Sequence, residues 1–172
     1  MRNSYAVTLT FMLSLVLAGC NASSIEDDFE LDEPSINALE ITDSYSQTVD
    51  SPDDVAAINA TIAAGEFNMI IEADNDVFYV NFMLNDQQIS DGGISFYNDN
   101  CGSGSCSISI TCRFTTELKM SCGNIGPDYP GNPEADVSSL TTALPMDAYI
   151  IIQVCNATHT TCTEQYQSIQ LQ

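Results

Sequence analysis

Ser107 to Phe114 alternates without a break. Ile108, Ile110, Cys112 and Phe114 fall on one side of an extended chain, and Ser107, Ser109, Thr111 and Arg113 on the other. Successive side chains of a strand point to opposite faces, so this pattern makes a strand with one buried and one wet face. Glu117 to Cys122 repeats it with Leu118, Met120 and Cys122 inward, which predicts a hairpin joined by Thr115-Thr116. Phe67 to Glu72, Val77 to Leu84 and Gly93 to Tyr97 are β-branched and aromatic runs. Turn-forming clusters, Asp74-Asn75-Asp76 and Asp91-Gly92-Gly93, separate them. Ala148 to Cys155 and Cys162 to Leu171 form a last pair, and Tyr149-Ile-Ile-Ile is apolar on both faces, as a central strand is. Val55 to Ala64 passes as a short helix, but no segment sustains a 3.6-residue stripe. Gly123 to Asp136, with three prolines and three glycines, reads as an irregular connection. Seven or so short strands, spaced at about ten residues, predict an all-β antiparallel sandwich over residues 55–172. That length suffices for one core.

The N-terminal part has a different texture. Arg2 precedes an apolar run from Ala6 to Leu17 that ends in small residues. The run is about a dozen residues, shorter than the roughly 20 that cross a bilayer, and reads as a cleaved export signal. Leu17-Ala18-Gly19-Cys20 resembles the lipobox of bacterial lipoproteins. The resemblance implies a signal peptide at 1–19 and a cut before Cys20. It also implies a diacylglycerol on the Cys20 thiol and an acylated (palmitate-type) new amino terminus. Cys20 is then the membrane anchor, and Asn21 after it, in place of Asp, implies the outer membrane. Several acyl chains make a stable attachment where one is marginal. The alternative is a plain secretory signal cut near Ala18, with Cys20 left as a thiol.

Residues 21–54 carry 11 acids and no Lys or Arg. With little apolar surface to offset the entropy of ordering, 20–54 is expected to be an acidic flexible tether. Within it, Ile36 to Val49 alternates loosely and is a candidate first strand. The whole chain sets 24 acids against 3 bases, a net charge of −21. Such a surface repels nucleic acid and anionic head groups and excludes a nucleic-acid partner. It keeps a domain soluble in salty surroundings, or it seeks cations and bases.

Six cysteines follow Cys20: Cys101, Cys106, Cys112, Cys122, Cys155 and Cys162. An even number in an exported chain reads as disulfides, with fifteen pairings open. Neighbours are the favoured partners. Cys155 and Cys162 bracket the tip of the last hairpin, and Gly102-Ser-Gly-Ser105 folds back to join Cys101 to Cys106. Cys112 and Cys122 face inward from adjacent strands, so they pair with each other or cross to the opposite sheet. For zinc, only Cys101-x4-Cys106 comes close to a ligand spacing, and no Cys-x-x-Cys redox pair is present.

Other chemistry is thin. A Ser-His-Asp triad would have to use His159, the single histidine, which lies among threonines at a hairpin tip and reads as a solvated loop residue. Lys119 faces outward. Glu72, Asp74 and Asp76, with Asp99 between two asparagines, are dense oxygen donors at strand ends and a candidate calcium set. The same residues make Asx turns, and the EF-hand spacing is absent. No other cofactor is expected. Phe78, Tyr79, Phe82, Phe96, Tyr97 and Phe114 are numerous enough to line a sugar or peptide groove, but sit at core spacing.

Leu140 to Tyr149, with Pro145 four residues before Tyr149, resembles the approach to the penultimate strand of fibronectin type III modules. The match spans residues 140–171, and the family's early Trp is missing, since the chain has none. The resemblance implies an immunoglobulin-like sandwich and no activity, because such folds host many functions. The expected function is therefore that of a lipid-anchored, non-enzymatic envelope protein, a binding or structural module presenting its sandwich to a protein or glycan partner. The alternatives are a small carboxylate-dependent hydrolase acting on envelope material, marked by two carboxylates about 5–10 Å apart in a cleft, and a calcium-stabilised adhesion module.

Overall fold

The computed structural model describes residues 33–102, 104–128, 132–141 and 143–172. The signal segment and Cys20 lie outside the described residues. Eleven strands run β1 (Ser35–Thr42), β2 (Thr48–Val49), β3 (Ala56–Ile58), β4 (Glu66–Asp74), β5 (Tyr79–Asn85), β6 (Ile94–Asn100), β7 (Cys106–Phe114), β8 (Lys119–Gly123), β9 (Glu134–Asp136), β10 (Met146–Cys155) and β11 (Cys162–Leu171). A 3₁₀ turn, Ile62–Gly65, precedes β4. The strands form two sheets, in the orders β2-β1-β4-β7-β8-β9 and β3-β11-β10-β5-β6. All pairs are antiparallel except β11 with β3.

The alternation read from β7 decides which faces meet. Phe67, Met69 and Ile71 of β4 and Ile110 and Phe114 of β7 turn inward against Phe82 and Leu84 of β5 and Ile150 and Ile152 of β10. Phe82, Phe96 and Phe114 are fully buried and Tyr97 is buried, as their core spacing predicted, and Phe67 joins them. Phe78 and Tyr79, expected in the core too, are only half-buried where β5 begins at the end of the sheet. The order β11-β10-β5 reproduces the G-F-C sheet of immunoglobulin-like sandwiches, with β10 central as expected, and β1-β4 stands where A-B does. One step differs from that arrangement. The first strand after β6 goes directly beside β4, and its hairpin partner β8 lies outside it.

Three corrections to the sequence reading follow. Residues 35–49 are not tether: β1 and β2 belong to the first sheet, and the sandwich begins 20 residues before Val55. Leu39, Ile41 and Val49 enter the core. Asp43 is buried yet satisfied, because its carboxylate accepts the backbone N–H groups of Tyr45, Gln47 and Ala57. Acidic density there makes turns, and does not prevent folding. Second, Val55 to Ala64 is not a helix; it supplies β3 and the 3₁₀ turn, since pairing with β11 overrides a weak propensity. Third, the β7–β8 connection runs through Leu118, which has φ of 58° and sits in the turn, leaving Phe114 opposite Met120. The connection after β8 is irregular as expected, but ends in β9.

All three neighbour disulfides are present: Cys101–Cys106, Cys112–Cys122 and Cys155–Cys162. The last two join residues directly opposite on adjacent strands.

Candidate functional site

The two ends of the sandwich differ in what they hold. At one end lie Ser35 opposite Asp74, Tyr79 opposite Asn100, and the Cys155–Cys162 hairpin. The described chain joins the fold here, where Thr163 Oγ1 donates to the Pro34 carbonyl. His159 is exposed at this end and packs on Tyr79, ring centroids 5.1 Å apart. At the other end lie the Asp43–Gln47 turn, Leu144-Pro145 and the end of β11. β10 runs from one end to the other, about 30 Å for ten residues.

A groove opens at the far end, on the outer face of the second sheet. It has a volume of about 510 Å³ and is lined by Val55, Ala57, Asp147, Tyr149, Ser168 and Gln170. The alternation of β10 and β11 puts Asp147, Tyr149, Ser168 and Gln170 outward while Ala148, Ile150 and Ile169 fill the core. Small residues, Ala57 and Ser168, leave the floor low. Tyr149 stands beside it and is held edge-on by Tyr166, centroids 5.9 Å apart at 90°. A second recess of about 360 Å³ continues past Gln170 to Leu144, Pro145 and Gln172.

Polar side chains along this groove bond to one another. Gln170 Nε2 donates to Asp147 Oδ1 at 2.9 Å, and Gln172 Nε2 donates to Gln170 Oε1 at 2.7 Å. Tyr45 hydroxyl donates to Gln172 Oε1 at 3.2 Å, and Asn59 Nδ2 donates to the Tyr45 oxygen at 3.3 Å. The run of side chains is therefore pre-positioned, and among the described residues no Lys, Arg or His lines either recess.

The sequence-predicted donors are placed apart from this groove. Glu72 and Asp74 lie on β4 and Asp99 on β6, in different sheets. Asp74 Oδ1 accepts the Asn75 N–H at 2.9 Å, and Asp99 Oδ1 accepts the Asn100 N–H at 2.7 Å within β6. Among the described residues, no three His, Cys, Asp or Glu side chains, Asp76 included, gather as a metal site. Asp99 also accepts the Tyr97 hydroxyl at 3.1 Å. Burial, and then that neighbouring carboxylate, push the Tyr97 phenol up to about 12. Lys119 pairs with Glu134, whose hydrogen bond raises the ammonium pKa above its ordinary value. Arg113 pairs with Asp128 and with Glu66 at 2.6 Å, and both hydrogen bonds keep the guanidinium charged.

Sequence reasoning did not single out Asp147, Gln170 or Gln172. The sequence marked Tyr149 only for its spacing from Pro145, because a strand apolar on both faces conceals which residue turns out. The usable signal was the chain end, where Gln170 near the end of β11 and Gln172 just beyond it fall two residues apart on one face. No protein-family model and no curated protein matches this chain.

Proposed function

We propose that this is a lipid-anchored protein of the bacterial cell envelope, held in the outer membrane through acyl chains on Cys20, and that it works as a non-enzymatic binding module. Its far-end groove meets a protein or glycan partner. The observation that carries this reading is the separation of the two ends. The chain coming from Cys20 joins the sandwich at Pro34, and the groove with its ordered polar side chains lies at the opposite end. Only 14 residues separate Cys20 from Ser35. That length, at most roughly 50 Å extended, keeps the domain near the surface while the groove looks away from it.

Fractionation of cells expressing Cys20→Ser tests the anchor: the variant is expected in the soluble envelope fraction and the unaltered chain with membranes. A variant that still sediments with membranes would falsify the acyl anchor. Retention of envelope components on the immobilised full chain, compared with Tyr149→Ala, tests the module. Retention that ignores position 149 counts against the groove.

A further inference from the structure

We infer that the groove is a subsite for an uncharged glycan, with Tyr149 as the stacking platform and Asp147, Gln170 and Gln172 reading the sugar hydroxyls; this rests on the binding-module reading above. Charge narrows the ligand first. Among the described residues, both recesses lack any cation and Asp147 is the only charged group lining them, and the chain carries −21 overall. Phosphorylated, sulfated or uronate ligands are repelled. A cationic ligand finds one carboxylate, already engaged by the Gln170 amide.

Hydrogen-bonding capacity narrows it next. A glutamine side chain has two N–H donors and an oxygen with two lone pairs. Within the side-chain run Gln170 uses one donor and one lone pair, so one of each is left to face a ligand. Sugar hydroxyls both donate and accept, and match such mixed groups. Because the side chains hold each other, little rotamer freedom is lost on binding. Two recesses meeting at Gln170 suit a ligand of repeating units.

The edge of the sheet separates a glycan from a peptide strand. The groove lies on the face of β11 and β10, and β3 covers the edge of β11 at Ile169 to Leu171. On the outer side of β3 the Ala57 N–H donates to Asp43 and the Ala57 carbonyl accepts from the Ser44 N–H. No open strand edge is offered there, so an extended peptide cannot add to the sheet through its backbone. Recognition must run through side chains and the Tyr149 ring.

A glycan array probed with the full-length chain in detergent, followed by calorimetry on the best binder, tests this. The array carries neutral hexose and N-acetylhexosamine oligomers beside uronate, sialylated and chitosan oligomers. Retention of a neutral oligomer is expected, weakened about tenfold or more by Tyr149→Ala and by Gln170→Ala. Tyr149→Phe, which keeps the ring, should hold within about threefold, and Asn68→Ala on the opposite sheet should change nothing. Circular dichroism confirms that each variant is folded. If no neutral oligomer is retained, or only chitosan is, the glycan assignment is overturned. If an envelope protein is instead captured in a Tyr149-dependent way, the module reading survives without it. If neither glycan nor envelope protein binds, both fall.

Discussion

The outer faces of the two sheets share an architecture and differ in what they leave available. On the first sheet, Asn68, Ser109, Thr111 and Ser121 point outward around the part-exposed Ile70, and Thr111 Oγ1 donates to Asn68 Oδ1 at 2.8 Å. Both described cations, Arg113 and Lys119, sit there, each already paired with carboxylates. On the second sheet, the outward residues Met83 and Ile151 are buried. The 86–93 segment folds back beside them. Asn85, itself buried, donates from Nδ2 to the carbonyls of Ile89 and Asp91, and Ser90 hydrogen-bonds Glu164 on β11. One face thus holds its charged groups in ion pairs in water. The other buries apolar area and, beyond that cover, opens into the groove. Alternation puts side chains outward on both sheets, but what folds over them decides whether a face is inert.

The largest expected effect that tests this contrast compares two isoleucines at outward positions. Ile151 is fully buried and Ile70 is 40% exposed. Ile151→Ala should cost about 2–4 kcal/mol in urea unfolding, and Ile70→Ala under about 0.5 kcal/mol. Equal losses would mean that the second sheet's outer face is not covered.

Next come the two cross-strand disulfides, one in each sheet. Replacing either pair by alanine should cost about 2–3 kcal/mol from loop closure alone. They should separate by accessibility. Cys112 and Cys122 are fully buried while Cys162 is exposed. Mild reductant followed by alkylation and mass spectrometry should label Cys155 and Cys162 first. Labelling of Cys112 before Cys162 would contradict the burial.

A smaller effect compares two asparagines. Asn85→Ala leaves the carbonyls of Ile89 and Asp91 without their donor and should cost about 1–3 kcal/mol, with faster amide exchange across 86–93. Asn68→Ala removes only an exposed pair and should cost under about 0.5 kcal/mol.

The smallest effect appears only in alkali. The folded Tyr97 phenol titrates near 12 against an ordinary value near 10. Its contribution is fully present below pH 10 and lost as pH rises through 12, because the unfolded state gives up its proton first. The loss should flatten in Tyr97→Phe. On the first sheet, Lys119 is an exposed paired group, and Lys119→Ala should leave the melting temperature at pH 7 unchanged within error.

Much of this fold was legible before any coordinates. The alternation of Ser107–Phe114 named every inward residue of β7 except Cys106. The favoured neighbour pairing of the six later cysteines is the one present, including Cys112–Cys122, for which the sequence also left open a crossing to the opposite sheet. The acidic stretch was misread for a physical reason. Composition averages over residues, whereas Leu39, Ile41 and Val49 need only a neighbouring strand to bury them, and Asp43 needs only three backbone donors. β3 and β9, three residues each, are too short for any period to show.

By itself, the order of residues determined an all-β chain with half-buried strands, their local disulfides, and a surface that anions avoid. Those follow from period-two geometry, short-range loop closure and net charge, all local or summed quantities. The groove was decided by tertiary structure alone. Tyr45, Val55, Asp147 and Gln170 come from distant stretches, and they share an end of the molecule only because β3 joins the last strand in parallel and β1 turns at Asp43. Register between strands far apart in sequence is set by how two sheets pack, and no local pattern carries that information.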